Sequence, residues 1–140
     1  MPQTIDQVMT VDPLTIDEGA PVSDAAQLMR DYDIGDVIVM RPDGSACGIV
    51  TDRDLTLRVL APGYDPKAMK VQDVCNHQLD SVASDDPVDA AVELMRDHAI
   101  RRLPVIDDGR LVGVVSLGDL AMERDPKSAL AGISEAPPNN

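Results

Sequence analysis

The sequence contains no phenylalanine and no tryptophan, and only two tyrosines, Tyr32 and Tyr64, in 140 residues. Single-stranded nucleic acid is commonly held by stacking its bases on aromatic rings, and that platform is missing here. Positive charge is scarce too: 12 Lys and Arg stand against 25 Asp and Glu, a formal net charge of -13, and the one basic cluster is Arg101-Arg102. Such a surface repels phosphate backbones and anionic bilayers, so neither nucleic acid nor membrane is an expected partner.

Cysteine is limited to Cys47 and Cys75, too few for the disulfide framework of a small secreted domain. Both are expected to be reduced, buried thiols. Cys75-Asn76-His77 sets a thiol near an imidazole, but a structural zinc site normally has four ligands and no second pair is visible, so no metal is predicted. With two histidines in all, general-base options are few. No Ser-His-Asp or Cys-His set and no glycine-rich phosphate loop followed by lysine stands at usable spacing, and the expectation is a protein that is not an enzyme. No apolar run approaches the roughly 20 residues that span a bilayer. The start, Met1-Pro2-Gln3-Thr4-Ile5-Asp6, has neither the basic residues nor the apolar stretch of a secretory signal, which makes the cytoplasm the expected location.

What is present is a duplication. Displaced by 66 residues, Val8, Pro21, Val22, Ala25, Leu28, Met29, Arg30, Asp31 and Ile34 meet Val74, Pro87, Val88, Ala91, Leu94, Met95, Arg96, Asp97 and Ile100. Beyond the turn Arg41-Pro42-Asp43-Gly44, one residue longer than Asp107-Asp108-Gly109, the displacement is 65 and Gly48, Val50, Asp54 and Leu55 meet Gly113, Val115, Asp119 and Leu120. A one-residue difference at a turn is what surface connections tolerate. A repeat of this length fixes the architecture before any single motif is read.

Each copy begins with a short extended stretch, Leu14-Thr15-Ile16 or Asp80-Ser81-Val82. Pro21 and Pro87 then mark the first turn of a helix, where the missing N–H costs nothing, and Asp86 is the expected cap of the second. Val22, Ala25, Ala26 and Met29, like Val88, Ala91, Val92 and Met95, fall at helical spacing and predict one buried stripe per helix. Short β-branched runs on either side of a glycine turn predict hairpins over 37–40 and 47–50, and over 103–106 and 111–115. A second helix starts near Thr51 and near Ser116. The reading is α/β, β-α-β-β-α twice: repeat 1 over 1–62, a connector over 63–73 with helix returning over 67–74, repeat 2 over 74–124, and a polar, flexible tail over 125–140.

The chemistry-bearing elements are Thr51-x-x-Asp54 and Ser116-x-x-Asp119, each where a glycine-containing strand passes into a helix. Unpaired N–H groups and the positive end of the helix dipole suit an anion there, and an ionised aspartate accepts hydrogen bonds from two ribose hydroxyls. The competing reading is a pair of ordinary capping boxes, which stabilise any helix. Recurrence at the same place in both copies favours a functional role.

Together with Ala90-Ala91-Val92-Glu93-Leu94-Met95, Ile100-Arg101-Arg102-Leu103-Pro104-Val105-Ile106-Asp107, Gly48-Ile49-Val50-Thr51-Asp52-Arg53-Asp54-Leu55 and Gly113-Val114-Val115-Ser116-Leu117-Gly118-Asp119-Leu120, these motifs resemble CBS domains, named for cystathionine β-synthase. The resemblance covers residues 5 to 124 and extends to small stand-alone tandem modules of that family. It implies two repeats packed through their sheets with pseudo-twofold symmetry, the Bateman module, with clefts that bind AMP, ATP or a related adenosyl ligand, and a homodimer as the assembly. Carried over, the first cleft uses Thr15, Ile16, Ile38, Thr51 and Asp54, and the second Ser81, Val82, Pro104, Ser116 and Asp119. Phosphate partners come from the opposite repeat: Arg101 and Arg102 for the first cleft, with Arg53 beside them, but Gly35 and Asp36 for the second, which makes the clefts unequal. The alternative for the arginines is surface ion pairing. Ile38, where the other copy has Pro104, and Asp36, where small or basic residues are common, depart from the family pattern.

Overall fold

The structure is a computed structural model that describes residues 3–124, with side chains described as far as Leu120. The expected tail, 125–140, lies outside the described residues. Two short strands come first, β1 (Thr10–Val11) and β2 (Thr15–Asp17), then α1 (Val22–Tyr32), β3 (Asp36–Met40), β4 (Ala46–Thr51) and α2 (Asp52–Leu55). The second half contains α3 (Val88–His98), β5 (Arg102–Asp107), β6 (Arg110–Ser116) and α4 (Leu117–Arg124). The two long helices start and stop at positions 66 residues apart, as the duplication requires.

Pro21 and Pro87 take the cap positions of α1 and α3. The side chain of Asp86 does not cap α3; it accepts from the Ala83 N–H at 2.9 Å and closes the preceding turn, while the Val88 N–H is satisfied by the Gln3 carbonyl at 3.0 Å. The buried stripes are narrower than the periodicity predicts: Val22, Ala25 and Met29 are buried on α1 but Ala26 is exposed. On α3, Val88, Ala91 and Met95 are buried and Val92 is half-buried. Each helix therefore packs along three buried residues, with Leu28 on α1 and Val92 and Leu94 on α3 half-buried against the same cores.

One sheet has the order β2-β3-β4, with β2 parallel and β4 antiparallel to β3. The other has the order β1-β6-β5, all antiparallel. Asp80-Ser81-Val82 forms no strand beyond a single parallel bridge, Val82 to Val105. Each hairpin carries a register shift near its turn, at Val39/Met40 and Val105/Ile106.

Spatial packing divides the chain differently from the sequence repeats. Among the described residues, one compact unit is 14–79 and the other joins 3–13 with 80–124. Each unit is thus completed by the leading segment of the other repeat, through the same bonds. Ile5 N–H donates to Asp86 and Asp6 N–H to Ser84; 66 residues on, Val71 N–H donates to Ala20 and Gln72 N–H to Glu18, at 2.9–3.1 Å. Those bonds explain why the expected helix over 67–74 is absent. Its donors turn outward to the neighbouring segment, leaving one 3-10 turn, Val71–Asp73, to match Ile5–Gln7.

The cores follow the units. Ile16, Val22, Ala25, Met29, Val37, Val39, Val50, Val59, Val71 and Val74 pack together with both cysteines. Ile5, Val82, Val88, Ala91, Met95, Leu103, Val105, Val115 and Leu120 form the second core. Among the described residues no helix is long and apolar enough to cross a membrane.

Candidate functional site

In the first unit, β2 lies beside β3 so that Thr15 faces Ile38 and Ile16 faces Val39. β3 in turn sets Asp36 opposite Thr51 on β4. Thr15, Ile38 and Thr51 thereby share one end of one sheet, with Ile38 two ladder steps from the Thr51 pair, roughly 7 Å along the strand. The second unit repeats the pattern with less strand: Val82 donates its N–H to the Pro104 carbonyl at 3.1 Å, and β5 sets Arg102 opposite Ser116. Ile16, Ile38, Val82 and Pro104 are buried, Thr15 is half-buried, and Ser81 is exposed.

Where β4 passes into α2, Thr51 N–H donates to Asp54 Oδ2 at 2.9 Å and Asp54 N–H donates to Thr51 Oγ1 at 3.1 Å. Ser116 and Asp119 make the same reciprocal pair, both bonds 3.1 Å. The competing reading of the motif is therefore real: both are complete capping boxes. Each box uses one carboxylate oxygen and fixes the rotamer of the aspartate, which presents the second oxygen in a set direction.

The first box has a neighbour that the linear motif does not reveal. After α2 the helix widens into a π-turn over Thr56–Leu60, and Arg58, four residues after Asp54, places Nε 3.9 Å from Asp54 Oδ1 while its guanidinium donates to the Val74 carbonyl at 3.0 Å. The signal was in the sequence as an arginine four residues after Asp54, where the second repeat has Glu123. Arg53 is exposed. Arg101 and Arg102 lie in the unit of the second box, Arg101 exposed and Arg102 half-buried.

A second constellation forms in the first unit. Gly48 has no side chain to obstruct residues 75–77, so Asn76 bridges to Ile49 and the chain on either side of it comes against β4. Cys47 Sγ then lies 3.4 Å from His77 Nδ1, and Cys75 Sγ lies 4.0 Å from Nδ1 and 3.6 Å from Nε2. The sequence places Cys75 near His77 and shows no second pair; Cys47, 30 positions from His77 in the chain, joins them only through the fold. Burial, with the Cys47 thiol next, pushes the Cys75 thiol up to about 12. Cys47 is 4% exposed, so its sulfur is closed to a substrate carbonyl and the pair makes no nucleophilic site.

Two β-α-β-β units, each ending in a Ser/Thr-x-x-Asp box, define a tandem CBS pair, and the family model for the CBS domain matches residues 5–61 and 71–125. The chain belongs to the CBS-domain family. It is 36% identical over 135 residues to the CBS domain-containing protein YhcV of Bacillus subtilis, covering 94% of this chain and 95% of that one. Against Hypoxic response protein 1 of Mycobacterium tuberculosis it is 31% identical over 118 residues, 84% and 82% of the two chains. The uncharacterized protein MK0525 of Methanopyrus kandleri is 36% identical over 106 residues, and the match spans 54% of that protein. Among solved structures, Hypoxic Response Protein I with two coordinated zinc ions superposes with a TM-score of 0.79 at 31% identity, covering 85% of this chain and 97% of that one. The hexameric CBS-CP12 protein from bloom-forming cyanobacteria superposes with a TM-score of 0.73 at 30% identity, covering 92% and 78%. These are the relatives of a regulatory module.

Proposed function

We propose that the protein is a non-enzymatic sensor of an adenine nucleotide of the AMP or ATP type, with the box aspartates holding the ribose. The observation that carries this reading is the recurrence of the reciprocal pair, Thr51 with Asp54 and Ser116 with Asp119, at the same junction of both units. A preset carboxylate loses little freedom when it accepts two ribose hydroxyls. Thr15 and Ile38 in one unit, and Val82 and Pro104 in the other, supply the apolar and backbone surface for adenine. Arg101 and Arg102 supply phosphate charge, and Arg58 adds a cation at the first box. Binding would bias self-association, toward a homodimer or a larger assembly, and so signal to a separate protein.

The test is the thermal midpoint with millimolar AMP, ATP or S-adenosylmethionine; a ligand held at 100 times its dissociation constant adds about 2.7 kcal/mol. No shift with any of the three overturns the proposal. Asp54→Ala should remove more of the shift than Asp119→Ala, and Arg101→Ala with Arg102→Ala should weaken ATP more than adenosine. The second reading, a protein-interaction module that binds no nucleotide, is favoured by the completeness of the two capping boxes, which already account for both motifs. It is upheld if the midpoints stay fixed while the assembly state changes with protein concentration alone.

A further inference from the structure

We propose that Cys47, Cys75 and His77 form a binding site for a soft divalent cation, Zn2+ by its chemistry, with two thiolates and one imidazole as protein ligands and a water in the fourth position. The donor atoms lie within 4.8 Å of one another. A tetrahedral centre with Zn–S about 2.3 Å and Zn–N about 2.0–2.1 Å sets sulfur-to-nitrogen separations of about 3.6 Å. The two sulfurs stand 3.4 and 4.0 Å from His77 Nδ1, on either side of that value. Small side-chain rotations bring all three onto one centre.

The imidazole is already oriented for the task. Its Nε2 lies 3.0 Å from the Gln72 carbonyl, which accepts only, so Nε2 carries the proton and Nδ1, 3.4 Å from Cys47 Sγ, keeps its lone pair; Cys75 Sγ, 3.6 Å from Nε2, must turn toward Nδ1 to share the ion. A metal-bound histidine characteristically donates its other N–H to such a carbonyl, which fixes tautomer and ring angle. The thiols are buried and the imidazole is exposed, so the ion enters from the His77 side and the water coordinates there.

The duplication provides an internal control. In the other unit, the positions equivalent to Cys47, Cys75 and His77 hold Val112, Met9 and Val11, on a backbone in which Thr10 pairs with Val114 as Asn76 pairs with Ile49. The fold is built there from apolar side chains alone. Packing therefore does not explain why one copy carries two thiols and an imidazole at the same three places. On binding, each S–H releases its proton to solvent as its S–Zn bond forms, about two protons per ion, and two thiolates neutralise the charge of the cation; no electron moves. Its three ligands are distinct from the residues of both Ser/Thr-x-x-Asp boxes, although Arg58 ties Asp54 of the first box to the Val74 carbonyl next to Cys75, and the metal site holds whether or not a nucleotide binds.

The full chain, reduced and stripped of metal, is titrated with Co2+ and then with Zn2+. One Co2+ per chain should bind with thiolate-to-cobalt charge-transfer bands and the strong visible bands of a four-coordinate ion, and Zn2+ should displace it. Cys47→Val, Cys75→Met and His77→Val, which install the residues of the other copy, should each weaken binding by about a hundredfold or more. His98→Ala, whose imidazole is held by Asp80, should leave it unchanged. Absence of the charge-transfer bands in the reduced protein overturns the proposal. So does their survival in Cys47→Val or Cys75→Met, and an unchanged affinity in His77→Val, an exposed position that leaves the core intact, removes the imidazole from the ligand set.

Discussion

Gly48 lies directly beneath the Asn76 carbonyl: a Cβ at Gly48 would stand 2.2 Å from that oxygen, closer than any side chain permits. The equivalent Gly113 would place its Cβ 2.8 Å from the Thr10 carbonyl oxygen and from the flexible Met9 sulfur. Gly48→Ala should therefore cost about 3 kcal/mol, at the upper end of overpacking penalties, and Gly113→Ala distinctly less. Urea unfolding of the two variants checks this, and equal losses would contradict the close approach.

The leading segment of each repeat belongs energetically to the other unit. Ile5 is fully buried with Val88 and Leu103, and Ile5→Ala should cost about 3 kcal/mol. Val71 is fully buried with Val22 and Val50, and Val71→Ala should cost about 2 kcal/mol. Hydrogen exchange should show Ile5→Ala loosening residues 82–116 and Val71→Ala loosening 15–51. Loss of protection in the covalently adjacent repeat instead would refute the exchange.

Both long helices end on a residue in the left-handed conformation, Asp33 at φ 54° and Ala99 at φ 55°. Alanine pays a steric cost there that glycine avoids. Ala99→Gly should raise stability by about 1 kcal/mol, read as a higher thermal midpoint. A lower midpoint would show that the Ala99 methyl packs favourably.

Acid stability should depend in part on one half-buried pair. Ser84 donates to Asp107 from its N–H at 2.9 Å and from its hydroxyl at 2.5 Å, and these bonds hold the Asp107 carboxyl below its ordinary value. A depressed folded value means stability that is fully present above the unfolded value of about 4 and is lost as pH falls through the folded one. Ser84→Ala should lower stability at neutral pH, where these bonds are fully present, and flatten the acid limb, so that variant and parent converge as pH falls through the folded value. An identical acid limb would exclude the pair as its source.

The sequence made the repeated elements legible because their determinants are local. Proline at 21 and 87, the apolar spacing that follows, and the glycine turns are all read within a dozen residues, and α1, α3 and both hairpins appear where those signals stand. The relations that failed to show are tertiary. Nothing near Val71 reports that its N–H donates to Ala20 rather than within a helix, and nothing near His77 reports that Cys47 lies beside it. The boxes illustrate a different limit: Thr51-x-x-Asp54 was plain in the sequence, but its geometry serves capping and ligand binding equally well. Arg58, four residues on, is legible from helical spacing as a neighbour of Asp54, but its bond to the Val74 carbonyl is tertiary and has no local signature.

The crossing of the two leading segments also bears on ancestry. A lone repeat would lack the 3-10 turn that closes its own core and would carry one made for a twin, so a single-repeat forerunner had to pair with a second copy by domain swapping in order to fold. Gene duplication then made that pairing intramolecular and freed the two halves to diverge, which is how one could acquire Cys47, Cys75 and His77 while the other kept Val112, Met9 and Val11.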